Sequence, residues 1–69
     1  MKFQEIVKYA RNKTRYSQEQ LARILNVSFA TINRWENGKT VPRPLAKDTF
    51  DKFCKDNNID IKNLEREDV

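Results

Sequence analysis

Sixty-nine residues with a net charge of +4, a single cysteine and no histidine allow one domain and exclude several chemistries at once. Cys54 alone cannot close a disulfide within the chain, and without histidine no cysteine/histidine zinc cluster can form. No apolar run approaches the roughly 20 residues that span a bilayer, and the N-terminus MKFQEIVKYA lacks the apolar core of a signal peptide, so the chain reads as cytoplasmic with no membrane partner. A domain this small buries only about 60% of the surface its unfolded chain exposes, which makes its stability modest.

Charge is unevenly placed. Residues 1–47 hold ten Lys/Arg against three acids, a net of +7, and residues 48–69 hold four against seven, a net of −3. A basic front and an acidic rear suit a polyanionic partner, with an ordinary solvated lysine-rich surface as the competing explanation.

The apolar residues repeat at helical spacing throughout, and no period-2 run bounded by turn residues signals a strand. Phe3, Ile6, Val7 and Ala10 fall at i, i+3, i+4, i+7 and predict a first helix over about residues 2–13, with Lys2, Lys8, Arg11 and Lys13 mostly off that stripe. Ser17, followed by Glu19 and Gln20, matches a capping box that opens a second helix, whose apolar face is Leu21, Ala22, Ile24 and Leu25. Asn26 ends it, because asparagine tolerates the left-handed conformation that a helix C-terminus often needs.

Ser28 is a good N-cap for a third helix over 29–36, with Ile32 and Trp35 inward and Val27 packed in the turn. Asn37-Gly38 closes it, and residues 39–44 form a stiffened loop. Pro44 suits the first turn of a fourth helix over about 44–57, with Leu45, Ala46, Phe50, Phe53 and Cys54 facing inward. Asn57-Asn58 breaks that helix. Ile59, Ile61 and Leu64 suggest a short fifth helix from about Asp60, and the segment from Glu65 to Val69 is expected to fray. The expected class is all-α, a bundle of about five short helices in one domain over 1–69.

Within it, Ser17–Gly38 reads as two amphipathic helices joined by a tight turn. Helices crossing steeply need a small residue where they touch, and Ala22 occupies that place. The turn needs a residue that accepts unusual dihedrals, here Asn26. Ile32 and Trp35 pack the third helix back onto the second, so Trp35 is a core residue rather than a stacking platform.

The residues Ser17-Gln18-Glu19-Gln20-Leu21-Ala22, Val27-Ser28, Ile32 to Lys39 and Pro42 resemble the Cro/repressor-type helix-turn-helix family, also called XRE. The resemblance covers about residues 3–65, and Trp35-Glu36-Asn37-Gly38-Lys39 is its most specific part. Two departures stand out. Asn26 lies where the family most often has glycine, and the third helix begins with apolar Phe29-Ala30 where many members place polar base-reading residues.

What the resemblance implies is a lambda-repressor-like domain that reads double-stranded DNA with its third helix. Base contacts then fall to Ser28, Phe29, Ala30, Asn33 and Arg34. Asn33 suits an adenine edge, and Phe29 and Ala30 suit thymine methyls. Asn33 as a solvated polar residue and Phe29 as a core or dimer contact are the competing readings. Phosphate contacts fall to Arg15, Gln18, Thr31, Lys39, Thr40 and Arg43, with Gln18 at a helix N-terminus that favours anions. Glu36 is expected to be structural, paired with Arg11 or Arg23. Ile59, Ile61 and Leu64 are the expected self-association surface of a homodimer.

Catalysis finds little support without histidine. Cys54 sits on the apolar face of the fourth helix, and the acids of the C-terminal third carry no two-metal grouping. The expectation is a non-enzymatic regulator without a cofactor, a repressor acting on a palindromic operator. The alternatives are an antitoxin-type module that also holds a protein partner, such as a toxin or another regulator, and the DNA-targeting domain of a larger DNA-modifying enzyme.

Overall fold

Each helix begins and ends where its local chemistry dictates. The computed structural model describes residues 1–66, which form α1 (Phe3–Thr14), α2 (Gln18–Leu25), α3 (Phe29–Glu36), α4 (Pro44–Asp56) and α5 (Ile61–Arg66). The fold is all-α, and no strand occurs among the described residues. Ser17 caps α2 through a reciprocal capping box: its hydroxyl accepts from the Gln20 amide (3.1 Å), and the Gln20 side chain accepts from the Ser17 N–H (2.8 Å). The Ser28 hydroxyl accepts from the Thr31 amide (3.1 Å) to open α3, and Pro44 fills the first turn of α4.

The first four helices share one kind of ending. A left-handed residue follows each: Arg15 (φ 63°), Asn26 (φ 58°), Gly38 (φ 71°) and Asn58 (φ 59°). The next amide then reaches back to a carbonyl in the last turn, as Tyr16 N does to Arg11 O (3.2 Å), Val27 N to Ala22 O (2.9 Å), Lys39 N to Arg34 O (2.9 Å) and Ile59 N to Cys54 O (2.8 Å). In three of the four endings the returning residue is apolar or aromatic and packs on the core: Tyr16, Val27 and Ile59. The ending of α3 instead carries the exposed Lys39. Gly38 suits that ending because its positive φ strains any residue with a Cβ, and a Cβ there would also push aside the end of the Gln4 side chain from α1.

Ile6, Val7 and Ala10 from α1, Leu21, Ala22 and Leu25 from α2, and Ile32 and Trp35 from α3 bury against Phe50, Phe53 and Cys54 from α4. Phe3, Trp35 and Phe50 pack edge to face, with centroids 5.7 Å apart for Phe3–Trp35, 5.5 Å for Phe3–Phe50 and 6.4 Å for Trp35–Phe50. Burial pushes the Cys54 thiol up to about 12, the neighbouring Asp51 charge adding to the shift, so the side chain is a protonated core residue.

Several expectations need correction. Leu45 was expected inward but is 80% exposed, because it stands in the first turn of α4 beyond the reach of the core, and Ile24 is 46% exposed at the edge of the α2 stripe. Ile59 and Leu64 are only 4% and 8% exposed. They pack into the core of a single copy, which leaves their side chains little surface to offer a second one; Ile61 is the member of that trio that keeps part of its surface. Glu65 and Arg66 belong to α5 rather than to a frayed end. The rest of the expected frayed segment, 67–69, lies outside the described residues.

Candidate nucleic-acid interface

α3 divides cleanly into two faces. Ile32, Trp35 and Glu36 are buried, whereas Phe29, Ala30, Arg34 and Asn37 are exposed and Asn33 is half-buried. At 3.6 residues per turn, Phe29, Asn33, Asn37, Ala30 and Arg34 follow one another around a single arc of about 140°. Four of the five residues expected to meet bases therefore share one surface. Phe29 leads it at 52% exposure, an open aromatic ring beside a polar amide row.

The fifth, Ser28, is exposed but occupied. Its hydroxyl caps α3 and pairs with the Thr31 hydroxyl at 2.8 Å, so both side chains already hold local partners. Arg34 lies on the arc itself, and further cations flank the helix-turn-helix in sequence. Arg15, Arg34, Lys39 and Arg43 are exposed and form no ion pair among the described residues, while Arg23 and Lys47 pair with Glu19 (3.5 Å) and Asp51 (2.8 Å) on their own helices. Thr40 is exposed in the loop between Lys39 and Arg43.

Behind the arc lies a polar chain that ties three helices together. Arg11 from α1 grips Glu36 at the end of α3 in a two-point pair, Nε to Oε2 at 2.7 Å and Nη2 to Oε1 at 3.0 Å. The same guanidinium donates to the Tyr16 carbonyl (3.2 Å). This selects Arg11 over Arg23 as the partner of Glu36. Gln18, the first residue of α2, donates from Nε2 to Glu36 Oε1 (3.1 Å). Asn33 Nδ2 reaches Gln18 Oε1 at 3.4 Å, and Asn37 Nδ2 donates to Asn33 Oδ1 at 3.0 Å.

Glu36 is 3% exposed. Its burial alone would raise the carboxyl pKa, but hydrogen bonds from Arg11 and Gln18, with the charges of Arg11 and Lys8, outweigh that penalty and hold it below its ordinary value. The Glu36 hydrogen bond raises the Arg11 pKa in turn, against the desolvation of the guanidinium.

Asn37 joins the polar chain although the sequence marks it only as a helix stop. The signal was its spacing: Asn33 and Asn37 stand at i, i+4, where two side chains on a helix meet. Gln18 is at the N-terminus of α2, as expected, but it is also the bridge between Glu36 and Asn33.

Among the described residues no helix is long and apolar enough to cross a membrane, and no group of three potential metal ligands is present. No curated protein and no solved structure gives a significant match to the chain. The family model described as helix-turn-helix matches residues 7–46, a stretch that runs from α1 into α4 and contains the whole Ser17–Gly38 unit. Capped, tightly turned and presenting one exposed arc on its second helix, this chain belongs to the Cro/repressor-type (XRE) helix-turn-helix family of DNA-binding regulators.

Proposed function

We propose that this protein is a cytoplasmic repressor that binds a palindromic operator as a homodimer, with α3 in the major groove. The observation that carries this reading is the exposed α3 arc, with Arg34 on it and Lys39 and Arg43, exposed and unpaired among the described residues, in the loop that follows the helix. Apolar Phe29 and Ala30 meet thymine methyls, Asn33 meets an adenine edge and Arg34 extends the contact toward a base or the backbone. Ser28, held by its capping bonds, contributes at the rim. Arg15, Gln18, Thr31, Lys39, Thr40 and Arg43 contact phosphate, fixing the register of the helix without reading sequence.

One copy measures 30 × 25 × 22 Å along its principal axes. That is narrower than the repeat of roughly 34 Å between successive major grooves, so two copies fit side by side on half-sites one turn apart. Ile61, Val41 and Leu45 supply apolar surface outside the arc, the last two at 75% and 80% exposure, for a second copy or a regulatory protein partner to cover.

In-vitro selection of bound duplexes tests the whole reading, since it reports specificity, palindromy and half-site spacing together. A pool without sequence enrichment would overturn it. Asn33→Ala is expected to relax one position of the selected site and to cost about 1–3 kcal/mol on the preferred sequence, measured by fluorescence anisotropy. Equal weakening on every sequence would show that Asn33 does not read a base. Lys39→Ala is expected to weaken all sequences alike and to make the salt slope shallower by about one unit. A slope unchanged from wild type would remove Lys39 from the phosphate contacts.

A further inference from the structure

Gln4, Lys8 and Arg11 stand at i, i+4 and i+7 on α1, so their side chains leave one face of the helix, each about a turn from the next. The two outer members are placed by contacts with α3. The Gln4 carboxamide lies against Gly38, the left-handed residue that closes α3, and Arg11 grips Glu36 in its last turn. Lys8 therefore leaves α1 between these two contacts, beside the C-terminal end of α3.

The geometry of α3 shows which side this is. At about 100° per residue, Glu36 falls roughly 20° outside the edge of the exposed arc marked by Phe29 and about 60° from Asn33. α1 thus meets α3 at one edge of that arc. Gln18 reaches the same edge through Glu36 (3.1 Å) and Asn33 (3.4 Å). Lys39 adjoins the far end of the seam, since it follows Gly38 and its amide returns to the Arg34 carbonyl (2.9 Å).

Lys8 is exposed and forms no ion pair among the described residues. Its charge is near enough to help lower the Glu36 pKa, but Arg11 already neutralises that carboxylate in a two-point pair. The Lys8 charge is left over at the edge of the arc. A major groove is about 12 Å wide and a helix with its side chains about 10–12 Å across, so whatever flanks a helix in the groove meets the phosphate strands that border it.

We propose that the seam between α1 and the end of α3 is a phosphate-binding site, in which Lys8 holds the strand that borders the Glu36 edge of α3. This rests on the reading that α3 enters the major groove. It gives α1 a part in DNA binding beside its part in the core. Periodicity leaves that part unseen, because a lysine off the apolar stripe looks the same whether it faces water or a phosphate.

The test uses Lys8→Gln, with Lys55→Gln as the charge control, since Lys55 is exposed on α4 and its loss changes the net charge equally. Affinity for the selected duplex is measured by fluorescence anisotropy across a salt series, and urea melts followed by Trp35 emission check that each variant is folded. Lys8→Gln is expected to bind about fivefold to tenfold more weakly at about 0.1 M salt, with the salt slope shallower by about one unit and the base preference unchanged. Lys55→Gln should keep the wild-type slope, and Lys8→Arg should restore it. A scan of single neutral methylphosphonates along both strands should find one position that weakens wild type by a similar factor and Lys8→Gln hardly at all. A Lys8→Gln protein with wild-type affinity and slope overturns the inference, as does an equal loss in Lys55→Gln, and either result leaves the reading of α3 in the groove standing. Wild type without salt-dependent binding to any duplex overturns both.

Discussion

Arg11→Met should destabilise the domain by about 3–5 kcal/mol, because it strands a buried carboxylate whose only remaining side-chain donor among the described residues is Gln18. A domain of this length has about 3–10 kcal/mol in all, at the usual stability per residue, so this one change can unfold it. The length of the side chain is nearly kept, so the loss reports the missing charge and hydrogen bonds rather than a cavity.

Its pH dependence separates this from a packing defect. In the wild type Glu36 has a folded pKa below its ordinary value of 4.5. Its contribution is therefore complete above about 4.5 and is lost as pH falls through the lower, folded value. Without Arg11 burial dominates and the sign reverses. The folded pKa is raised, and the variant loses stability as pH rises past the unfolded value. The gap between wild type and Arg11→Met should be widest near neutral pH and should narrow in acid. Urea melts followed by Trp35 emission at a series of pH values check this, and a gap independent of pH would contradict it. Arg11→Met combined with Glu36→Leu should recover much of the loss, since an apolar pair of similar volume needs no hydrogen bonds.

The same pair shows where reading from sequence stops. Ser17, Gln20, Asn26 and Ser28 were legible because a cap is local: the hydroxyl or amide and the backbone group it meets lie within a few residues. Glu36 was legible as a structural acid, but its partner was not. Arg11 and Arg23 are both arginines on helices that pack near α3, and only tertiary geometry sends one inward while the other stays 75% exposed beside Glu19. The two-point grip on Glu36, and with it the polarity of Gln18 and Asn33, follows from that choice.

Ile59 and Leu64 mark a second limit. Apolar residues in a short last helix can serve the core of one copy or the seam between two, and periodicity is the same in both cases. A small domain has so little interior that it draws on every segment to close its core, and here Ile59 at the ending of α4 and Leu64 on α5 are used for that purpose. Ile24 and Leu45 err in the other direction. Both sit at the edges of apolar stripes, where helical spacing continues but the opposing helix does not. The arc of α3 was read more completely, because Ile32 and Trp35 fix which face is buried and leave the opposite face for Phe29, Ala30, Asn33 and Arg34.

Phe50→Ala is expected to cost about 3–5 kcal/mol, comparable to losing the ion pair but by a different route. Phe50 is fully buried and lies within 6.5 Å, centroid to centroid, of Phe3, Trp35 and Phe53, so truncation opens a void in the middle of the aromatic cluster. A cavity term then adds to the lost transfer free energy, since aromatic neighbours anchored on α1, α3 and α4 cannot all collapse inward. Because Trp35 is the residue through which α3 leans on this cluster, the damage reaches the DNA-facing arc without altering any residue on it. The urea midpoint followed by Trp35 emission should fall with little change in slope. DNA affinity should decline only under conditions where the variant begins to unfold, and with it the salt slope and the base preference should stay as in wild type. A Phe50→Ala protein that stays folded and melts within about 1 kcal/mol of wild type would mean that the cluster can repack. The reliance of α3 on Phe50 would then have to pass to Ile32 and Ala22 at the α2 contact.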